Sequence, residues 1–243
     1  MILTNKRIVI TGGTSGIGLE IVHQLAIDNK LIVVGRNTKV LQSLNVQYPM
    51  LETHCCDLSC PSDVSALVQC LLQKHRSLDV LINNAAMQYS KKMTDQDYDP
   101  AAISTEINTN LTAVCLLSHG LLPLLQRVEK AVVLNVNSGL ALAPKASSAV
   151  YCATKAAINS FSQSLNHQLK DSHVAVLQAF MPVVDTPMTE GRGSNKISSH
   201  FAAQSLLTGI RESVIEHDIG KVKLLRWLLR IVPSVAKRIM VNA

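Results

Sequence analysis

Aromatic residues are scarce in this 243-residue sequence: phenylalanine, tyrosine and tryptophan make up 3%, although 47% of all residues are hydrophobic. Aliphatic side chains must therefore build the core, which suits a buried parallel sheet covered by helices. The sequence also lacks a stretch long enough to span a membrane and an N-terminal secretory signal. We therefore expect a cytoplasmic protein.

Paired cysteine motifs are absent as well. The six cysteines include no C-x-x-C pair, and no histidine follows the cluster Cys55, Cys56 and Cys60 at the spacing of a zinc site. We therefore expect free thiols and no metal site.

The net charge of +6 is confined to one part of the chain. Residues 191–243 carry nine lysines and arginines against three acidic residues, whereas residues 1–190 are balanced. A general nucleic-acid-binding surface is therefore not expected, and the basic character belongs to the C-terminal part.

Apolar strand-like runs alternate with segments of helical period, which predicts βαβ units and a parallel sheet. The predicted strands are residues 7–11, 31–35, 51–56, 78–83, 131–136 and 174–180. The predicted helices are residues 17–27, 61–75, 101–127, with a kink or end at Pro123, and 150–169. We expect a single doubly wound α/β domain of the Rossmann type over residues 1–243, with helices on both faces. Polar residues 186–200 are predicted to form a mobile substrate loop.

A glycine-rich loop, TGGTSGIG at residues 11–18, directly follows the first predicted strand and opens a helix. Glycines allow the backbone to turn tightly beside a pyrophosphate, and the helix N-terminus supplies free N–H groups. The alternative is an ordinary strand-to-helix turn. The predicted cofactor-binding residues in this loop are Gly12, Thr14, Ser15, Gly16, Ile17 and Gly18.

The ends of the next strands carry further candidate cofactor contacts. Arg36 follows the second strand where an acidic residue would favour NAD, and its guanidinium suits a 2′-phosphate. Asp57 is placed to accept a hydrogen bond from the adenine, and Asn84 and Ala85 to contact a ribose. A solvated Arg36, a capping Asp57 and a structural Asn84 are the alternatives. The sequence favours NADP(H) over NAD(H).

Ser138, Tyr151 and Lys155 form the pattern Ser-x12-Tyr-x3-Lys. Tyr151 and Lys155 share one helix face, so the ammonium can stabilise a phenolate whose ordinary pKa is near 10. Tyr151 would then act as acid and base, Lys155 would also bind the nicotinamide ribose, and Ser138 would hold the substrate oxygen. Each residue alone has an unremarkable structural explanation, but the three together predict proton transfer at an alcohol or carbonyl.

These motifs resemble those of the short-chain dehydrogenase/reductase family along nearly the whole chain. The matching segments, in family order, are TGGTSGIG (11–18), CD (56–57), NNA (83–85), TNL (109–111), SGLALAPKASSAVYCATK (138–155) and VDTPM (184–188). The segments LNVNSGLA, VYCATKAA and VVDTPMTEGRG further resemble the DltE-like subgroup. Three positions depart from the family pattern: Ala86, Met181-Pro182 and Asn137.

The resemblance implies an oxidoreductase acting on a small carbonyl or alcohol substrate, and with the Arg36 argument the leading hypothesis is an NADP(H)-dependent enzyme. It implies that Asn110, with Asn108 as the near competitor, supports a proton relay, and that Val184 and Thr186 contact the nicotinamide carboxamide. It also implies a homodimer or homotetramer. The physiological substrate and the reaction direction are not defined by these motifs.

Residues 221–240, KVKLLRWLLRIVPSVAKRIM, are predicted to form a basic amphipathic helical segment with its first helix ending at Pro233. We expect this segment to dock on its own protein or on a twin subunit, and weak contact with an anionic membrane surface is the alternative. The competing functions are a catalytically silent nucleotide-binding regulator and a peripheral membrane or scaffold protein. The intact set of Ser138, Tyr151, Lys155 and Asn110 argues against the silent regulator.

Overall fold

The computed structural model describes residues 1–241; Asn242 and Ala243, which the domain prediction includes, lie outside the described residues. Seven parallel strands form one sheet in the order β3-β2-β1-β4-β5-β6-β9, and β7 and β8 form a separate two-stranded ribbon. The strands are β1 (Arg7–Thr11), β2 (Lys30–Gly35), β3 (Glu52–Cys55), β4 (Val80–Asn83), β5 (Ala131–Ser138), β6 (Val174–Met181), β7 (Val184–Asp185), β8 (Ile197–Ser198) and β9 (Glu216–Asp218).

Helices cover both faces of the sheet, so the predicted doubly wound α/β fold is confirmed. Apolar side chains of α1, α2 and α7 pack on one face, and those of α3, α5 and α6 pack on the other. The helices are α1 (Gly16–Leu25), α2 (Thr38–Gln47), α3 (Pro61–Lys74), α4 (Ala101–Ile107), α5 (Ala113–Leu125), α6 (Ala149–Gln168), α7 (Ser199–Glu212), α8 (Val222–Ile231) and α9 (Pro233–Val241).

The single long helix predicted over residues 101–127 is wrong in one respect. A π-helical turn, Asn108–Thr112, separates α4 from α5. Pro123 lies inside α5, which ends two residues later at Leu125. The turn shifts the helix register and buries Asn110, which is 1% exposed; such π-bulges are frequent at functional sites.

Two helices and three strands had no prediction from the sequence: α2, α7, β7, β8 and β9. Helix α7 begins at the end of the predicted loop 186–200, with the Ser198 side chain accepting a hydrogen bond from the Phe201 N–H. Strand β9 extends the sheet beyond β6. Within residues 1–241, no helix combines the length and apolar character needed to cross a membrane.

Helices α8 and α9 follow β9, and Pro233 starts α9 after the predicted break. Val222 of α8 is buried, and Arg226, predicted to add charge to the basic surface, turns inward instead. Its guanidinium donates to Asp218 through Nε at 2.6 Å and Nη2 at 2.9 Å, pairs with Glu216 at 3.0 Å, and lies 4.6 Å from the Phe180 ring centroid. The acidic residues of β9 therefore attach α8 to the sheet.

Candidate active site

A cavity of about 650 Å³ lies at the carboxyl ends of the parallel strands. Gly12 after β1, Asn84 after β4, Ser138 at the end of β5 and Met181 at the end of β6 all contribute to its wall. The connections from β1 and β4 run to opposite sides of the sheet, so the cavity lies at the point where the strand order reverses. This is the place where open α/β sheets bind ligands.

The glycine loop between β1 and α1 forms one end of the cavity. Gly12 and Gly16 have φ angles of +69° and +51°, in the left-handed region that disfavours other residues. A Cβ atom at Gly18 would lie 2.2 Å from the Gly12 carbonyl oxygen, so only glycine fits there. Of the residues predicted to contact a cofactor, Gly12, Thr14, Ser15, Gly16 and Ile17 line the cavity, whereas Gly18 lies behind the loop and supports it.

The N-terminus of α1 opens onto the same end. Ser15 is the N-cap, yet its side chain accepts no hydrogen bond from the first turn, and that turn contains no acidic residue. The helix therefore offers free N–H groups and a partial positive charge to an anion. The glycine cradle and this helix N-terminus fit a pyrophosphate group.

Arg36 and Asp57 face each other across the neighbouring strand ends. Arg36 Nη1 lies 3.8 Å from Asp57 Oδ1, and both residues line the cavity. Hydrogen bonds from Ser59 are the main cause that lowers the pKa of Asp57, and the Arg36 charge adds to the effect. Because the Arg36 side chain is 67% exposed, its guanidinium is accessible to a ligand group at this rim.

Asn84 ties two strands together. Its side-chain amide donates to the Thr11 carbonyl at 2.9 Å and to the Gly12 carbonyl at 3.4 Å, and its backbone N–H donates to the Thr11 hydroxyl at 3.0 Å. The Ala85 N–H also donates to the Thr11 hydroxyl, at 3.1 Å. Asn84 and Ala85 both line the cavity. Asn84 can therefore hold the two strands together and also face a ligand in the cavity.

Ser138, Tyr151 and Lys155 converge on the cavity. Ser138 ends β5, and its hydroxyl accepts a hydrogen bond from the Leu140 N–H at 3.1 Å. Lys155 Nζ donates to the Val136 carbonyl at 2.8 Å and lies 5.7 Å from the Tyr151 ring centroid. The helix α6 thus presents a phenol and a cation together beside the strand end that carries the serine.

Burial is the main cause that shifts the pKa values of Tyr151 and Lys155. Burial raises the pKa of Tyr151 to about 12, although a hydrogen bond with Ser138 acts in the opposite direction. Burial also lowers the pKa of Lys155 to about 8. The sequence predicted a lowered phenol pKa; the structure gives the reverse because loss of solvent outweighs the effect of nearby groups. The Tyr151 phenol is therefore protonated at neutral pH.

Asn110 lies behind the cavity wall in the π-helical turn. Its amide donates to the Met87 carbonyl at 2.8 Å and to the Thr154 hydroxyl at 3.2 Å, and its carbonyl accepts from the Met87 N–H at 2.8 Å. Thr154 precedes Lys155 on α6. The competitor, Asn108, donates instead to the Ser59 carbonyl at 3.1 Å. The structure therefore brings Asn110 toward the catalytic candidates and Asn108 toward another loop.

Val184 and Thr186 complete the predicted set. Val184 is buried in β7, and Thr186 lies over the N-terminus of α1, where a Cβ atom on Gly16 would be 3.0 Å from its methyl carbon. Both residues line the cavity. The segment that follows β6 therefore closes over the glycine loop.

The cavity is also lined by residues that were not predicted from the sequence. Lys145 lies between Ser138 and Tyr151 in the sequence, and Arg192 lies in the polar loop after Thr186. The only signal in the sequence for these two positions was a basic residue in a segment next to a predicted site residue. Helix α8 contributes Lys221 at its N-cap, with Val222 and Leu225. Apolar side chains of Leu140, Met181 and Met188 also line the cavity.

Two sequence comparisons extend this description. Residues 6–197 match the family described as short chain dehydrogenase. The uncharacterized oxidoreductase DltE of Bacillus subtilis is 37% identical over 236 residues, which cover 93% of this chain and 92% of that protein. The similarity thus extends over nearly the full length of both chains.

Solved structures resemble the chain in fold. A short chain dehydrogenase from Burkholderia cenocepacia in complex with NADP superposes with a TM-score of 0.89, at 20% identity and with both chains fully covered. A 3-ketoacyl-(acyl-carrier-protein) reductase from Brucella melitensis complexed with NADH has a TM-score of 0.80 at 23% identity, covering 90% of this chain and 98% of the other. At these identities the likeness concerns the fold alone.

Proposed function

The chain belongs to the short-chain dehydrogenase family, and from this we propose that it is an NADP(H)-dependent oxidoreductase acting on an alcohol/carbonyl pair. The observation that carries the proposal is the convergence of Ser138, Tyr151 and Lys155 on one cavity that also contains the glycine loop. A cavity with a phosphate-binding end and a proton-transfer end suits hydride transfer with a nucleotide cofactor.

The proposed reaction assigns one task to each side chain. Bound NADP(H) supplies or accepts the hydride. Ser138 holds the substrate oxygen, and Tyr151, protonated at neutral pH because of its raised pKa, donates a proton to the oxygen as negative charge develops. The Lys155 ammonium stabilises the resulting phenolate. Asn110 fixes the backbone of Met87 and the hydroxyl of Thr154 beside this group.

The cofactor would be held by the glycine loop and the strand ends. Gly12, Gly16 and the first turn of α1 provide the phosphate cradle. Arg36 provides a cation at the rim, which supports a preference for NADP(H), since a guanidinium pairs well with a 2′-phosphate. Asp57, Asn84, Ala85, Val184 and Thr186 are the further proposed contacts.

The experiment is a screen of aldehydes and ketones, followed through NADPH absorbance with purified protein. We expect substrate-dependent NADPH oxidation, lost in Tyr151→Phe and in Lys155→Met. NADPH binding without turnover of any carbonyl would instead favour a nucleotide-binding regulator. Failure to bind NADPH or NADH would contradict the proposal altogether.

We further propose a homodimer or homotetramer in the cytoplasm. Helix α6 exposes small residues at Ala149, Ala153 and Ala156, which permit close approach of a second helix. All six cysteines are free thiols, as expected in a reducing compartment. Light scattering on the purified protein measures the assembly, and a monomer at micromolar concentration would contradict it.

A second candidate function, docking on an anionic membrane, rests on the outer face of α8 and α9. By the outer face we mean the exposed apolar side chains that recur at helical spacing within each helix: Leu224, Trp227 and Ile231 of α8, and Val235 and Ile239 of α9. Exposed basic residues flank it at Lys221, Lys223, Arg230 and Lys237, and no acidic residue occurs between 219 and 241. Charge complementarity therefore favours anionic lipid, with each cation near the surface worth about 1 kcal/mol. The opposite face of α8 packs on the enzyme, so both can occur together.

Vesicle co-sedimentation tests this second candidate. We expect binding to vesicles containing phosphatidylserine and none to purely phosphatidylcholine vesicles. The double variant Trp227→Ser/Ile231→Ser should lose binding, whereas Ile27→Ser/Val46→Ser, which changes exposed apolar residues elsewhere, should keep it. The membrane candidate is wrong if neither variant nor the unaltered protein binds vesicles. If, in addition, light scattering shows a smaller assembly only for Trp227→Ser/Ile231→Ser, the outer face is an interface between copies of the chain.

A further inference from the structure

The cavity wall carries more positive charge than the proposed cofactor and catalytic roles use. Among the described residues, the wall contains five cationic side chains and one side-chain carboxylate. Arg36 pairs with that carboxylate, Asp57, at the rim. Lys155 is buried beside Tyr151. Three cations remain, on the side closed by α8 and the loop after Thr186: Lys145, Arg192 and Lys221.

Lys145 is anchored through its backbone, and its ammonium has no partner among residues 1–241. Its backbone N–H donates to Cys152 Sγ at 3.5 Å, which fixes residue 145 beside the start of α6, next to Tyr151. The side chain is half-buried and, among residues 1–241, forms neither an ion pair nor a hydrogen bond. A cation held in this way has lost part of its hydration without gaining a counterion.

Arg192 lines the same cavity from the loop that follows Thr186. Its backbone N–H donates to the Thr189 carbonyl at 3.0 Å, and its guanidinium donates to the Ser90 hydroxyl. No carboxylate within the described chain pairs with it. Burial first, and then the charge of Arg192, lower the pKa of Lys145, and Arg192 also acts on the Tyr151 phenol. Lys145 and Arg192 line the same cavity as Ser138 and Tyr151, so a ligand in this cavity is exposed to the charge of both cations.

Two neighbouring cations without a counterion repel each other unless an anion lies between them. An ammonium and a guanidinium together provide several donors for one oxyanion. The adjoining wall is apolar, with Leu140, Met188, Val222 and Leu225. The cavity thus combines a charged corner with a hydrophobic surface.

We propose that Lys145 and Arg192 form an oxyanion subsite for the substrate, so that the enzyme acts on carbonyl or alcohol compounds carrying a carboxylate near the reacting carbon. The identity of the reacting group rests on the proposed function, whereas the anion subsite rests on two cations that have no counterion among residues 1–241. An apolar portion of the substrate would lie against α8. Lys145 and Arg192 are specificity-determining residues in this proposal.

Binding tests the subsite independently of turnover. The complex of the protein with NADP⁺ is titrated with benzoate and with benzamide by calorimetry. Benzoate should bind at least about tenfold more tightly, since a hydrogen bond to a charged group is worth a factor of ten or more. Lys145→Met and Arg192→Met should each remove most of this difference, whereas Lys170→Met, an exposed lysine beyond α6, should retain it. Phenyl phosphate, titrated in parallel, distinguishes a carboxylate site from a phosphate site.

Turnover provides the second test, with 4-oxopentanoate and its methyl ester as matched substrates. The ratio of kcat/KM should favour the acid in the unaltered protein and fall toward one in Lys145→Met and Arg192→Met. Equal binding of benzoate and benzamide would overturn the subsite even if both carbonyl compounds are reduced. If the variants weaken NADPH binding as much as benzoate binding, the cations serve the cofactor and the proposal is wrong. Selective benzoate binding without any carbonyl turnover would support the subsite and count against the proposed function.

Discussion

The side-chain amide of Asn110 pairs with the backbone of Met87 through two hydrogen bonds, each 2.8 Å long. One amide thus satisfies both a donor and an acceptor of a segment that lines the cavity. The π-helical turn makes this possible, because the inserted residue directs Asn110 inward while Asn108 points toward Ser59. Cavity shape and helix irregularity are therefore coupled through a single side chain.

Asn110→Ala should reduce both stability and activity. It leaves a Met87 N–H and carbonyl without partners, which should cost about 1–3 kcal/mol of unfolding free energy for these partly buried groups. We expect kcat to fall more than tenfold, because the wall next to Lys155 loses its support. Urea unfolding by circular dichroism and steady-state kinetics measure the two effects. Asn108→Ala is the matched control, and an equal loss of kcat in the control would argue against the assignment of Asn110.

Tyr151→Phe should abolish turnover and leave NADPH binding largely intact. The ring still packs, but the proton donor is gone, and acid–base catalysis contributes roughly 10²–10⁴-fold. Single-turnover kinetics with an active carbonyl compound measure the loss. Tyr98→Phe, at a tyrosine that stacks edge-on against Tyr89 away from the cavity, should behave like the unaltered protein. A Tyr151→Phe variant that keeps more than about a tenth of kcat would falsify the proposed proton donor.

NADPH should bind more tightly than NADH, and Arg36→Ala should remove this preference. The expected margin is about 1.5–3 kcal/mol, the worth of a hydrogen bond to a charged group. Titrations of nucleotide fluorescence give both dissociation constants. Arg76→Ala, at an exposed arginine outside the cavity wall, should leave the preference unchanged. Equal affinities for the two nucleotides in the unaltered protein would contradict this prediction.

Carbonyl reduction should decline as the pH rises through about 8, where Lys155 titrates. The pKa of Lys155 is lowered, so its ammonium is present below this value and is lost above it. Tyr151, with its pKa raised to about 12, stays protonated across the same range and does not cause the decline. The pH profile of kcat/KM for the reduction measures it. A profile that stays flat up to pH of about 10 would exclude Lys155 as the group responsible.

Arg226→Met should destabilise the attachment of α8. The substitution removes the guanidinium that pairs with Asp218 and Glu216, so these two carboxylates of β9 are left without their cation. We expect about 1–3 kcal/mol of lost unfolding free energy, given the partial exposure of the group. Thermal unfolding by circular dichroism measures the change. Lys223→Met, at an exposed lysine of the same helix, should change stability by less than about 0.5 kcal/mol.

The sheet was more predictable than its edges. The six predicted strands are confirmed to within a few residues, because continuous apolar runs such as those of β1 and β5 have no stable place outside a buried sheet. Strand β9 has the sequence Glu-His-Asp and carries no apolar signal; pairing with β6 creates it. Helix α7 does bury an apolar stripe, but its start merges with the polar loop before it.

The candidate site likewise has features that the sequence predicts and features that only the fold reveals. Ser138, Tyr151, Lys155 and the glycine loop have fixed spacings, so the sequence predicted that they belong together. The direction of the Tyr151 pKa depends on burial by elements distant in sequence, and no local pattern gives it. Arg226 was predicted to be on the basic surface because helical spacing does not reveal that β9 presents two carboxylates to it. Lys145 and Arg192 line one cavity only because two loops distant in sequence fold over the same strand ends.

Trp227 is the only tryptophan in the sequence, and it lies on the outer face of α8 with 56% of its surface exposed. All intrinsic tryptophan emission therefore originates from a single helix at the edge of the molecule. A denaturation curve recorded by this emission follows the release of α8, whereas ellipticity follows the sheet and its covering helices. If the two curves separate, the wall of the cavity detaches while the core is still folded, and loss of activity should then follow the emission curve.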